Sequence, residues 1–147
     1  MAAGLITAAA RGDLWLDEVY SISFAESASS VWEIFSRFQV DNNHVLNTLY
    51  LYLIGKHKLL MIYRLLSIFT GFGSVLLVGL IARKWGLLEQ LFSLLLAGTS
   101  YPLILLFSEA RGYAPAIFFA LLCLAILLYS RQQMSLFRLT IFWLPPS

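Results

Sequence analysis

Charge is what this sequence has least of. Charged residues make up 12% of the 147, about half the share in soluble domains. Apolar residues make up 60%, more than a soluble fold of this size can hide, whereas a lipid-facing fold need not hide them. Cysteine is almost absent. The single Cys123 excludes a disulfide framework and a thiolate zinc site, and its place in an apolar stretch predicts a small core residue. Basic runs are missing as well. Ten Lys and Arg against eight Asp and Glu give a net charge of +2, and their scatter leaves nothing to grip a nucleic acid. There is no internal repeat and no low-complexity linker.

What is present is a series of long apolar runs. Aromatic residues are 15% of the chain, which suits a bilayer protein whose Trp and Tyr collect at the interfaces. A spanning helix needs about 20 apolar residues. Leu65 to Ala82 provides the first clear span, with Arg64 at its start, Arg83 and Lys84 at its end, and Gly71, Gly73 and Gly79 permitting close helix packing. Leu91 to Phe107 is the second, kinked at Pro102. Tyr113 to Tyr129 is the third, opened by Pro115 and closed by Arg131. Leu136 to Leu144 begins a further segment that Pro145 and Pro146 interrupt. Short connections make successive spans antiparallel neighbours.

Met1 to Ala10 is apolar, short and without the basic start of a signal peptide. It is expected to be the tail of a spanning helix that begins upstream, in a chain that is part of a larger protein; the plainer reading is a soluble N-terminal extension. Between it and the spans lies a mixed stretch. Ser29 or Ser30 is placed to cap a short helix carrying Trp32, Ile34, Phe35 and Phe38, with Glu33 in its first turn. Val45 to Gly55 is too short to span and reads as an interfacial helix or as a helix leading into the next span. The expected architecture is all-α: a polytopic transmembrane helix bundle with a first loop carrying interfacial helices. Residues 1–10 form the tail of a first span and 11–63 the loop. Residues 64–147 hold spans at about 65–83, 90–108 and 113–130 and the start of a further segment.

Six of the eight acids (Asp13, Asp17, Glu18, Glu26, Glu33 and Asp41) precede the long apolar runs. Asp17 and Glu18 stand side by side behind Trp15. A carboxylate there serves as a general base, and its neighbour's charge raises one pKa toward a useful range; the plainer reading is an acidic cap on a surface helix. Asp41, Asn42, Asn43 and His44 offer polar groups suited to sugar hydroxyls, or simply a turn with a capping Asp. Ser108 to Tyr113 places Glu109 and Arg111 between two spans, where ionisable groups are costly. Two residues apart, they do not face each other on a helix, which leaves Arg111 for a partner such as phosphate or for snorkelling to the headgroups. Arg64 is a weaker version of the same choice.

These motifs and their order resemble the N-terminal part of a GT-C glycosyltransferase, within the protein O-mannosyltransferase and aminoarabinose-transferase superfamily. Leu14-Trp15-Leu16-Asp17-Glu18 matches the aromatic-then-Asp-Glu pattern of that superfamily's first outer loop. Asp41-Asn42-Asn43-His44-Val45-Leu46 resembles its later Asp-plus-His motif, with Val45-Leu46 where prolines are common. Tyr63-Arg64-Leu65-Leu66-Ser67 fits an Arg near the start of the second span, and Ser108-Glu109-Ala110-Arg111-Gly112-Tyr113 resembles a turn after the third. The resemblance implies transfer of a sugar from a polyprenyl-phosphate donor. It implies Asp17 as base with Glu18 beside it, and Asp41, Asn43, His44, Arg64, Arg111 and Tyr113 toward the substrates. No cofactor is implied; a divalent ion is compatible, but no full ligand set is visible. The expected partners are the lipid-linked donor, membrane lipids and an acceptor the sequence does not identify.

Counting Lys and Arg does not orient the chain. Six lie with the acidic loop and the Arg111 turn, and four (Arg83, Lys84, Arg131 and Arg138) on the other side. The resemblance alone puts the loop on the non-cytoplasmic side of what is expected to be a cell membrane. The competing class is a non-enzymatic membrane protein, such as part of a transporter or a packing subunit. Its sign would be ionisable residues facing a midplane cavity, whereas here they gather at the ends of spans.

Overall fold

In a computed structural model, residues 1–36 and 44–142 are described, and every element among them is a helix. Their order is α1 (Ala2–Ala9), α2 (Leu16–Ser27), α3 (Val31–Ser36), α4 (Val45–Ile54), α5 (Leu60–Ala82), α6 (Leu87–Thr99), α7 (Tyr101–Ser108) and α8 (Tyr113–Phe142). Two of them, α5 and residues Tyr113–Ser130 of α8, are long and apolar enough to cross a membrane; the bent pair α6 and α7 makes a third if it counts as one span.

The long helices pack around α5, which touches α6, α7 and α8. Gly71, Gly73 and Gly79 lie where a methyl group would collide with Phe107, Phe118 and Leu94, so these glycines set the close approach of the neighbouring helices. Ile6 of α1, Val75, Phe107 and Ala114 form the buried centre of this packing. The outer faces are apolar too: Phe69, Leu80, Phe92, Leu96 and Leu127 are all exposed. Cys123, expected in the core, is exposed on α8. A helix that is apolar all round does not reveal from its pattern which side faces inward.

Three boundaries differ from those read in the sequence. Helix α5 begins at Leu60 rather than Leu65, so Arg64 sits a full turn inside it and not at its entrance. The second span is two helices meeting at 60°. Ser100 is extended between them, and Pro102 stands in the first turn of α7, where its missing N–H costs nothing. Helix α8 passes through Arg131 unbroken, because residues 131–142 contain neither Pro nor Gly.

Helices α2, α3 and α4 form a smaller unit at the end of the bundle where α5 and α8 begin and α7 stops. Ala25, Leu51, Tyr63 and Ala110 are its buried contacts. The expected short helix appears as α3, and Glu33 reaches back to the Ser29 N–H at 2.8 Å. The second expected helix appears as α4, which ends at Gly55 with φ of 63°, a conformation that glycine adopts without penalty.

Candidate functional site

The site is built on the turn between α7 and α8. Residues 109–112 leave the helix, and the Arg111 N–H donates to the Glu109 carbonyl at 2.8 Å. Gly112 is required there. A Cβ on it would lie 2.0 Å from His44 Cβ, so the backbone of the turn rests directly against the N-terminus of α4. Asn47, one turn further along α4, donates to the Ala110 carbonyl at 3.0 Å. Ser67 of α5 donates to the Arg111 carbonyl at 3.1 Å.

Beneath the turn lies a buried ion pair. Arg64 is 2% and Glu18 0% exposed. Arg64 Nε donates to Glu18 Oε1 at 2.8 Å and Nη2 to Oε2 at 2.6 Å, a two-pronged pairing. The remaining donors go to the backbone carbonyls of Ala10, Gly12 and Asp13 at 2.7–2.8 Å. All five guanidinium N–H groups are thereby occupied within the protein. Glu18 also accepts from the Trp15 N–H at 2.9 Å, closing the start of α2, and from the Ala110 N–H at 2.6 Å. Burial raises the carboxyl's pKa, but the bonds from Arg64, Ala110 and Trp15 and the Arg64 charge outweigh it and hold the group below the usual carboxylate range. Glu18, expected beside Asp17 at the chemistry, is therefore enclosed, and Arg64, expected at a substrate, has no donor left for one.

Above the turn the geometry is open. Asp17, the neighbour of Glu18 in the first turn of α2, points the other way, with its side chain 54% exposed. Its Oδ2 lies 3.2 Å from Arg111 Nη2. Arg111 is held on two further sides. Tyr113 receives an Nη2 hydrogen bond at 3.1 Å and has the guanidinium 4.6 Å from its ring centre. Glu109 Oε2 is 3.5 Å from Nη1. The expectation that Glu109 does not reach Arg111 held only for a helix; the backbone turn brings their side chains together. Burial pushes the Glu109 carboxyl up, against the pull of Arg111. The His44 ring meets the Tyr113 ring edge-on at 4.9 Å. Burial and then the Arg111 charge lower the His44 pKa, which favours the neutral ring at neutral pH.

The structure thus gathers Asp17, His44, Arg111 and Tyr113 on one side of the turn and Glu18 and Arg64 on the other. Asp41 and Asn43 lie outside the described residues. Sequence reasoning missed Asn47 and Gly112 as parts of the site. The signals were present: Asn47 is three residues from His44, on the same side of α4, and Gly112 closes the turn. Two buried polar atoms, His44 Nε2 and Asn47 Oδ1, have no hydrogen-bond partner among the described residues. No group of three His, Cys, Asp or Glu among the described residues is arranged to hold a metal ion.

No known family model, curated protein or solved structure matches this chain.

Proposed function

We propose that the chain belongs to a multi-pass membrane glycosyltransferase and carries the part of its site that meets a polyprenyl-phosphate sugar donor. The observation that carries this reading is the pairing of Asp17 with Arg111. The two come from motifs far apart in the sequence and meet at 3.2 Å beside Tyr113, at the end of helices fit to span a bilayer. A base and a cation at the boundary between water and lipid are what glycosyl transfer from a lipid phosphate needs.

In this reading Asp17 takes the proton from the acceptor's hydroxyl or amine as that group attacks the anomeric carbon. The bond from that carbon to the phosphate oxygen breaks, and the phosphate leaves with the electron pair and one more negative charge. Arg111 faces that growing charge, and Tyr113 fixes the guanidinium plane. Glu18 and Arg64 are assigned a structural role, because their polar atoms are spent on each other and on the backbone. The acidic loop lies on the non-cytoplasmic side of a cell membrane, and α2 and α3 lie along the lipid surface with Trp15, Tyr20, Trp32 and Phe35 exposed.

Donor turnover in reconstituted enzyme tests the assignment. Arg111→Ala is expected to cost on the order of 3 kcal/mol of transition-state stabilisation, and Arg111→Lys to restore only part, since an ammonium cannot grip two phosphate oxygens. Asp17→Asn is expected to lose about 10²-fold or more. Equal turnover of Lys and wild type, with Ala close behind, would make Arg111 a snorkelling side chain. One observation favours a second reading, a non-enzymatic packing subunit. The enclosed Glu18–Arg64 pair joins α1, α2, α5 and the Arg111 turn, as a purely structural tie would.

A further inference from the structure

Arg111 lies between two carboxylates that differ in their freedom to move. Glu109 is 8% exposed and sits behind the guanidinium, at 3.5 Å from Nη1. Asp17 is 54% exposed and sits in front, at 3.2 Å from Nη2. The Arg111 side chain is 20% exposed. Tyr113 supports it by a hydrogen bond and by its ring, so loss of either carboxylate leaves Arg111 in place. The open approach to this cation is therefore the one that Asp17 now fills.

We infer that Asp17 holds the seat of an incoming phosphate on Arg111, and that a lipid phosphate displaces it. The inference rests on the glycosyl-transfer reading and adds a coupling to it. With the seat empty of ligand, the Asp17 carboxylate is held by the Arg111 guanidinium at 3.2 Å. A phosphate brings its own negative charge to Nη2, replaces one ion pair by another and repels Asp17. The carboxylate is released from Arg111, and free to meet the acceptor, only when a donor is seated. The exchange involves no covalent step. Asp17 yields rather than Glu109 because an exposed pair is weak and Asp17 is exposed, whereas Glu109 is buried.

The test is binding, which the 147-residue chain in lipid nanodiscs allows to be read without turnover. The probe is a radiolabelled polyprenyl monophosphate, with unlabelled polyprenol and inorganic phosphate as competitors. Asp17→Asn removes the competing charge and is expected to bind the probe about two- to fivefold more tightly than wild type, the range set by the strength of an exposed pair. Arg111→Ala is expected to bind it more weakly. Polyprenol is expected not to compete, and inorganic phosphate to compete only at far higher concentration than the unlabelled lipid phosphate. Unchanged or weaker binding by Asp17→Asn, with Arg111→Ala still weakened, overturns the placeholder role and leaves the site intact. Unchanged binding by Arg111→Ala overturns the site itself. Competition by inorganic phosphate as strong as by the lipid makes free phosphate the ligand and overturns the lipid source.

Discussion

Adjacent residues in one sequence motif do opposite things here. Asp17 and Glu18 are neighbours on the first turn of α2, about 100° apart around the helix axis. One therefore faces the open side of the turn and the other faces Arg64. Removing half of a fully buried ion pair leaves an uncompensated charge and typically costs about 3–5 kcal/mol. Glu18→Gln is expected to destabilise the protein by that order, measured by thermal or denaturant unfolding in detergent micelles. Glu18→Gln combined with Arg64→Met is expected to recover much of the loss, since no charge is then stranded. The pH dependence has a definite sign. The folded-state pKa of Glu18 lies below its ordinary value of 4.5, so its contribution is complete above that pH and disappears as pH falls through the lower, folded value. Glu109 has the opposite sign. Its pKa is raised by burial, so its charge costs stability at neutral pH, and acid relieves that cost. Glu109→Gln is expected to melt higher than wild type at pH 7 and to lose that advantage below about pH 4.5. A Glu18→Gln variant with unchanged melting would show that the pair contributes nothing to stability.

At the scale of elements, the turn between α7 and α8 is held by its neighbours rather than by its own sequence. Asn47, Ser67 and Glu18 each bond to its backbone, from α4, α5 and α2 in turn. His44 fills the space that a side chain at residue 112 would need. Gly112→Ala is expected to push α4 from the turn and destabilise by about 1–3 kcal/mol, the usual cost of overpacking. It is also expected to weaken polyprenyl-phosphate binding, because the shift takes His44 away from the Tyr113 ring that supports Arg111. Melting and lipid binding check this together, and unchanged values of both would show that the contact yields without consequence. Gly71→Ala has a comparable clash, with Phe107. It acts within the bundle and is expected to lower melting while leaving the Asp17–Arg111 geometry less affected.

Over the whole molecule, the charged groups divide between two ends. The Asp17–Arg111 cluster sits where α5 and α8 begin. Arg83 and Lys84 sit where α5 stops, and Lys84 lies 4.6 Å from the centre of the Tyr129 ring. If the long helices cross a bilayer, these two ends face different compartments. With Cys123→Ala as background, Ser29→Cys is expected to react with a membrane-impermeant maleimide from outside intact cells, and Arg83→Cys only after permeabilisation. Reaction of both from the same side would rule out the spanning arrangement, and the reverse pattern would invert the orientation.

The sequence by itself determined the helical class, the apolar runs that become α5 to α8, and the break near Pro102, because these follow from local propensity and from residue-by-residue cost in an apolar medium. Of the residues that it singles out, Asp17, Glu18, His44, Arg64, Arg111 and Tyr113 lie around one turn. Only the tertiary structure decided their division of labour. Nothing in Trp15-Leu16-Asp17-Glu18 says which carboxylate turns inward; the position of Arg64, a turn inside α5, and the free Ala110 N–H select Glu18. Nothing in the spacing of Glu109 and Arg111 brings them together, because helical geometry keeps such residues apart. The turn forms because α2, α4 and α5 supply hydrogen bonds to its backbone, and those bonds exist only once the distant segments have packed.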